Sequence, residues 1–402
     1  MKLLLLAGEE SGVLYAEQIA KALRGRSAAV EIRGYGDYGF RTSDLAVMGV
    51  GQVLKKIFYF LRVKRTMERA IDEWKPDVVC TVDYPGMNLK LAAYAKARGV
   101  RTVHVVCPQV WAWKKGRIPK IEAALDRLCC FFPFEPELFS PGFAEFVGHP
   151  LVDEMSFPVP SPSSATGADK SPTPVPSASR RQALANGASV PAPVAEDRDG
   201  TVLALLPGSR LGEVEKHLPT LLKVVETLRR EIPDLKVVIP AANERAYKEI
   251  CSLVDSGGEG TRRPTIVVTH GGAREVLRDA DAAVVASGTA TLEAALAGCP
   301  TVLVYKVGWL FAFLARRFIK GIRHIGLANI IAEKAGAECP MPELLQENFT
   351  VEKVLAAVRP LLADPSANAA ARQSLAETMA LLKSDGGAIE RIVTTLQISR
   401  DF

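Results

Sequence analysis

The chain has 402 residues, 48% of them hydrophobic and 24% charged. At roughly 150 residues per domain this length suggests two or three domains with large cores, which excludes a small disulfide-stapled scaffold. Lys and Arg number 50 against 45 Asp and Glu, a net charge of +5 that excludes a nucleic-acid tail and, at this apolar content, general disorder. Residues 1–155 hold 22 basic and 18 acidic side chains, so nearly all of the excess lies in the first part. The seven cysteines, at positions 80, 107, 129, 130, 251, 299 and 339, sit mostly in apolar runs without paired CxxC motifs. Reduced core thiols and a cytoplasmic setting are expected, with neither disulfides nor zinc. Leu3 to Ala7 is too short for the apolar part of a signal peptide, and no stretch of about 18 apolar residues follows, so neither export by that route nor a transmembrane span is expected.

The first predicted strand, Lys2 to Ala7, runs into Gly8-Glu9-Glu10-Ser11-Gly12. This is a glycine turn after a strand that matches neither the dinucleotide nor the P-loop pattern. Residues 45–67 then carry five Lys or Arg and no acid, and between Lys55-Lys56 and Arg62 lie Ile57, Phe58, Tyr59, Phe60 and Leu61. That mixture suits an anionic membrane surface or lipid chains. The predicted strand Val78 to Val82 leads into Asp83-Tyr84-Pro85-Gly86-Met87-Asn88. A carboxylate at a strand tip is where a general base belongs, yet Asp83 could equally cap a Pro-Gly turn, and the spacing leaves both open. Val103 to Val106 precedes a segment from Pro108 to Lys120 with two tryptophans and four cations, and residues 84–121 hold eight Lys or Arg without an acid. Leu128 to Phe132 and Phe146 to Val147 complete the strands of the first half.

From Ser156 to Gly200 the composition turns to Pro, Ser and Ala, with eight prolines between Pro158 and Pro193, as in an extended, poorly ordered linker or insertion. The expected division is therefore residues 1–155, 156–200 and 201–402. In the last part, Val202 to Leu206, Lys236 to Pro240, Thr265 to Val268, Ala282 to Ala286 and Thr301 to Tyr305 read as strands, with helices such as Leu218 to Glu231 between them. Both halves thus read as parallel α/β domains, whose ligands gather at the carboxyl ends of the strands. Two turns there could bind a diphosphate. One runs from Leu206 through Gly208, Ser209 and Arg210 to Glu213, and Arg210 supplies donors for phosphate oxygens. The other runs from Ala286 through Ser287, Gly288, Thr289, Ala290 and Thr291 to Glu293, where free backbone N–H groups and the helix dipole favour an anion and Glu293 could take ribose hydroxyls. Trp309 to Arg317 mixes apolar and basic residues and fits either a core helix or a lipid surface. Asp279-Ala280-Asp281 reads as a helix end rather than a metal site, and the five histidines show no ligand spacing.

Together these motifs resemble those of the lipid-A-disaccharide synthase family, GT-B glycosyltransferases of Gram-negative lipid A assembly. The resemblance rests on GEESG at 8–12, LAVMG at 45–49, DYPGMN at 83–88, PQVWAWKKGRIPKI at 108–121, FPFE at 132–135, FVGHPLVDE at 146–154, LLPGSRLGEVE at 205–215, SGTATLEAAL at 287–296 and NIIA at 329–332. It implies two Rossmann-like domains facing a cleft, an acceptor and lipid domain first and a UDP-sugar domain second, with C-terminal helices packing back on the first. The implied reaction moves 2,3-diacylglucosamine from its UDP donor to 2,3-diacylglucosamine 1-phosphate with inversion, giving the β-1,6-linked disaccharide and UDP without a metal or other cofactor. Asp83 would be the base. Gly208, Ser209, Arg210, Glu213, the turn from Ser287 to Thr291, Glu293 and Asn329 would bind the donor. Gly8, Glu9, Ser11, Gly12, Asn88, Gln109, Trp111, Arg117 and His149 would line the acceptor side. The implied setting is the cytoplasmic face of the inner membrane, peripherally bound and possible as a homodimer, with no nucleic acid. The sequence has Val13 where the family has Asp, and Gln52 where an acid is usual. A related GT-B enzyme with another lipid acceptor, a UDP-sugar epimerase, or a non-catalytic sugar-nucleotide or lipid binder are the alternatives.

Overall fold

The computed structural model describes residues 1–41, 57–112, 115–154, 200–255, 266–286, 288–307 and 323–397. The insertion up to residue 199, LAVMG, Gln52, Lys55, Lys56, Trp113, Ser287 and the Trp309 to Arg317 run lie outside them. The described residues divide into two compact units, 1–154 with 380–397, and 200–307 with 323–379.

The first unit is built on β1 (Lys2–Ala7), β2 (Glu31–Arg33), β3 (Val78–Val82), β4 (Arg101–Val105), β5 (Arg127–Cys130) and β6 (Ala144–Phe146). They lie in the order β2-β1-β3-β4-β5-β6, every neighbouring pair parallel. A parallel sheet is covered on both faces, which is why its strands are continuous apolar runs. Alternate side chains of β1 serve the two faces. Leu3, Leu5 and Ala7 meet Ile19 and Leu23 of helix Glu10–Arg26 and Ile392 and Leu396 of helix Ala388–Gln397. Leu4 and Leu6 meet Val63, Met67 and Ile71 of helix Ile57–Trp74 and Leu91 of helix Pro85–Lys96. The C-terminal helix is also tied by the Arg101 guanidinium donating to the Thr395 carbonyl (2.8 Å) and by the Ala388 N–H donating to Asp153 (2.6 Å). Among the C-terminal helices, Val351–Ala363 instead buries Val354, Leu355 and Val358 in the second unit. Helix Pro365–Ala380 is held there by Arg372, which donates to the carbonyls of Gly298 and Ala280.

The second unit contains β7 (Val202–Leu206), β8 (Lys236–Ala241), β9 (Ile266–His270), β10 (Ala282–Ala286), β11 (Thr301–Tyr305) and β12 (Glu343–Leu345). Their order is β12-β11-β10-β7-β8-β9, again all parallel. Helix Leu211–Glu231 begins at Leu211 rather than Leu218 and passes through Pro219, because Glu213 caps its first turn while Val214, Leu218, Leu221 and Val225 are buried on one stripe. The short strands β2 and β12 were not anticipated: each has three residues and no fully buried one, so neither carries an apolar run.

In each sheet the direction of the connections reverses once, between β1 and β3 in the first unit and between β7 and β10 in the second. The crevice at the carboxyl ends of such a strand pair is where open α/β sheets receive ligands. Among the described residues no helix is long and apolar enough to cross a membrane.

Candidate active site

At the first reversal, β1 delivers Gly8 and β3 delivers Asp83 and Tyr84. Gly8 lies against the Tyr84 ring so closely that a Cβ there would sit 2.4 Å from a ring carbon, which is why only glycine fits. Asp83 and Tyr84 both adopt left-handed backbone conformations, with φ of 50° and 51°, and Val106 beyond β4 has φ of 76°. For non-glycine residues each costs roughly 1–3 kcal/mol and persists only where the surroundings enforce it. Here the Asp83 N–H donates to the Val105 carbonyl (2.9 Å) and the Tyr84 N–H to the Asp83 carboxylate (2.8 Å).

Asn88 sets this turn from beneath. Its fully buried amide donates to the carbonyls of Leu6 (3.2 Å), Val82 (3.2 Å) and Asp83 (2.8 Å), and its oxygen accepts from the Tyr35 hydroxyl (2.8 Å). Expected on the acceptor side, Asn88 has its donors and acceptor engaged inside the fold, where it positions Asp83. Burial pushes the Asp83 carboxyl above its ordinary value, opposed by the Tyr84 N–H. Glu9 is pushed up as well, by burial and then by the neighbouring charge of Asp83. Ser11 is exposed, Gly12 packs against Val82, and Val13 lies partly buried against the core of the β1 face.

The remaining residues expected on the acceptor side lie along the same strand ends. Gln109 is exposed, Arg117 is half-buried at the start of helix Ile118–Ala124, and the Trp111 indole is half-buried and packs edge-on against Phe134. His149 is a core residue instead. Burial pushes its ring down to about 4, its Nδ1 accepts from the Leu151 N–H (3.2 Å), and Phe131 and Tyr15 pack on it.

At the reversal in the second unit, Gly208 has φ of 126° and sits directly over Glu213. The Glu213 carboxylate accepts from the N–H groups of Ser209 (3.2 Å) and Arg210 (3.4 Å) and from the Arg210 guanidinium (2.9 Å). The donors expected to be open to phosphate are therefore already answered by a carboxylate, as the unsatisfied N–H groups of a helix start attract the nearest anion. Beyond β10, Gly288 (φ 137°) precedes helix Thr289–Leu296, with the Thr291 hydroxyl donating to the Gly288 carbonyl (2.8 Å). Glu293 pairs with Arg274 (3.2 Å). Asn329 is fully buried, donating to Met341 and Glu343 and accepting from the Met341 N–H. Its side chain, expected to hold the nucleotide, ties helix Leu327–Lys334 to the segment of Met341 and Glu343.

His217 was not anticipated. Its Nδ1–H donates to the Pro207 carbonyl (2.8 Å) while Nε2 accepts from the Lys306 N–H (2.9 Å), joining the turn after β7 to the end of β11, and burial lowers its pKa. In the sequence it is visible only as a histidine on the buried stripe of a helix.

Two parallel six-stranded sheets, each with a glycine turn at its reversal, are the architecture of the GT-B fold. Solved structures agree: a putative UDP-N-acetylglucosamine 2-epimerase from Listeria monocytogenes aligns over 98% of this chain and 95% of its own at TM-score 0.59 and 13% identity. The kitacinnamycin glycotransferase aligns over 98% and 97% at TM-score 0.58 and 16% identity. Both likenesses are of fold. In sequence, the family model described as lipid-A-disaccharide synthetase matches residues 3–186 and 182–388. The lipid-A-disaccharide synthase of Myxococcus xanthus is 34% identical over 408 residues, 99% of this chain and 97% of the relative, and that of Chromohalobacter salexigens is 35% identical over 406, covering 97% and 95%. The chain belongs to the lipid-A-disaccharide synthase family.

Asn88→Ala should leave buried carbonyls and the Tyr35 hydroxyl unpartnered, destabilising the protein by at least about 1–3 kcal/mol in denaturant unfolding. A variant as stable as the wild type would contradict its place under Asp83.

Proposed function

We propose that this glycosyltransferase moves a diacylated glucosamine from its UDP donor to the primary hydroxyl of diacylglucosamine 1-phosphate with inversion. The observation that carries the reading is Asp83, an acid held in a left-handed turn at the reversal of the first sheet with its carboxyl pushed above the ordinary range. There it takes the proton of the acceptor hydroxyl as that oxygen bonds to the anomeric carbon. The bond from that carbon to the diphosphate breaks, and UDP leaves with the electron pair. The turns after β7 and β10 meet the diphosphate charge with helix N-termini, and Arg210 supplies a cation. Phosphate oxygens replace the Glu213 carboxylate at the Ser209 and Arg210 N–H groups, and Glu293 meets the ribose. Gly8, Gly12, Gln109, Trp111 and Arg117 form the acceptor side in the first unit.

The acyl chains call for a lipid surface. Helix Ile57–Trp74 exposes Ile57, Phe58 (82%) and Leu61, and Phe58 and Leu61 line a depression with Arg62, Arg65 and Arg69. Apolar side chains among arginines suit peripheral contact with an anionic membrane.

Two outcomes check this reading. Because the base must be ionised, kcat/KM should rise with pH through the raised pKa of Asp83, and Asp83→Asn should lower kcat by roughly 10²- to 10⁴-fold. Near-normal turnover by that variant would remove the base. In sedimentation with vesicles, anionic phosphatidylglycerol should carry the protein down, and Phe58→Asp should cut the bound fraction about fivefold or more. Equal binding by the variant would contradict the membrane contact.

A further inference from the structure

We propose that Glu135, which no step above uses, is the positioning residue that fixes the Trp111 indole on the acceptor side of the first unit. The inference rests on the acceptor reading of Trp111 and deepens it. Glu135 is 1% exposed in the turn after β5. One carboxyl oxygen accepts from the Trp111 Nε1–H (3.2 Å) and the other from the Phe132 N–H (3.1 Å). The side chain thereby bridges the segment after β4 to the segment after β5.

The ring contacts continue the clamp. Trp111 meets Phe134 edge-on with centroids 5.7 Å apart, and Phe134 stacks on Phe132 at 5.8 Å. Trp111 lies beyond the end of β4, outside any strand, so side-chain contacts rather than sheet pairing fix its indole. A carboxyl group suits two N–H donors because both of its oxygens accept, whereas a glutamine would set its own NH₂ against one of them.

Among the described residues, the titratable groups facing Glu135 are the thiols of Cys107 and Cys130, whose sulfurs and a Glu135 carboxyl oxygen lie within 4.8 Å of one another. Burial dominates and pushes Glu135 up to about 8. Its neighbouring thiols are pushed up as well, Cys130 by its hydrogen bond to Cys107 and by burial.

The test pairs kinetics with a spectroscopic signature. With UDP-diacylglucosamine and diacylglucosamine 1-phosphate, Glu135→Ala and Trp111→Phe should each raise the acceptor KM about tenfold while changing kcat little, as expected for loss of uniform binding. The double variant should be no worse than either single one, since Glu135 acts through Trp111. In protein labelled with 5-fluorotryptophan, the Trp111 resonance, assigned through Trp111→Phe, should titrate with a midpoint near 8 and lose that titration in Glu135→Gln. This readout needs no turnover and serves even where Glu135→Ala does not fold. Independent, additive KM losses, or a Trp111 resonance that ignores pH, would overturn the proposal. An unreactive wild type whose Trp111 resonance still titrates would defeat the acceptor reading and leave the Glu135 clamp standing.

Discussion

The first unit depends on one buried amide. Asn88 reaches from the first turn of a helix to the carbonyls at the ends of β1 and β3 and to Asp83 itself. It holds together the strand pair at which the sheet reverses and the backbone turn that presents the acid. Without such a clamp, two successive left-handed residues would relax, and the carboxyl would lose the half-buried setting that raises its pKa. Gly8 completes the arrangement by letting the Tyr84 ring close over the end of β1.

The second unit meets a similar requirement with different residues. His217 links Pro207 to Lys306, Asn329 stitches its helix to residues 341 and 343, and Glu213 answers the N–H groups of the turn after β7. A turn whose N–H groups attract anions draws in its own carboxylate. On the proposed donor reading, binding exchanges one anion for another and benefits from the helix dipole without leaving N–H groups unsatisfied.

Much of this was legible in the sequence because buried parallel strands are continuous apolar runs: β1, β3, β7, β10 and β11 fall where the residues place them. Glycine turns after strands marked both reversals, and the motif set marked the family. Side-chain roles were less legible. Asn88, Asn329 and His149 sit in motifs that invite a ligand-binding reading, yet each is buried and bonded to backbone groups. Asn88 reaches as far as Leu6 and Asn329 as far as Met341, and no local pattern reveals such partners. Glu135 was legible only as one letter of FPFE, and its link to Trp111 exists only once β4 and β5 are paired.

The central claim is the transfer of an acylated glucosamine to an acylated glucosamine phosphate. The most direct measurement is identification of the lipid product by mass spectrometry and proton NMR after incubation of the full chain with UDP-diacylglucosamine and diacylglucosamine 1-phosphate. The account predicts a β-1,6-linked tetraacyl disaccharide 1-phosphate and one UDP per disaccharide. UDP tightly bound with no disaccharide formed, or epimerisation of unacylated UDP-N-acetylglucosamine in its place, would contradict it.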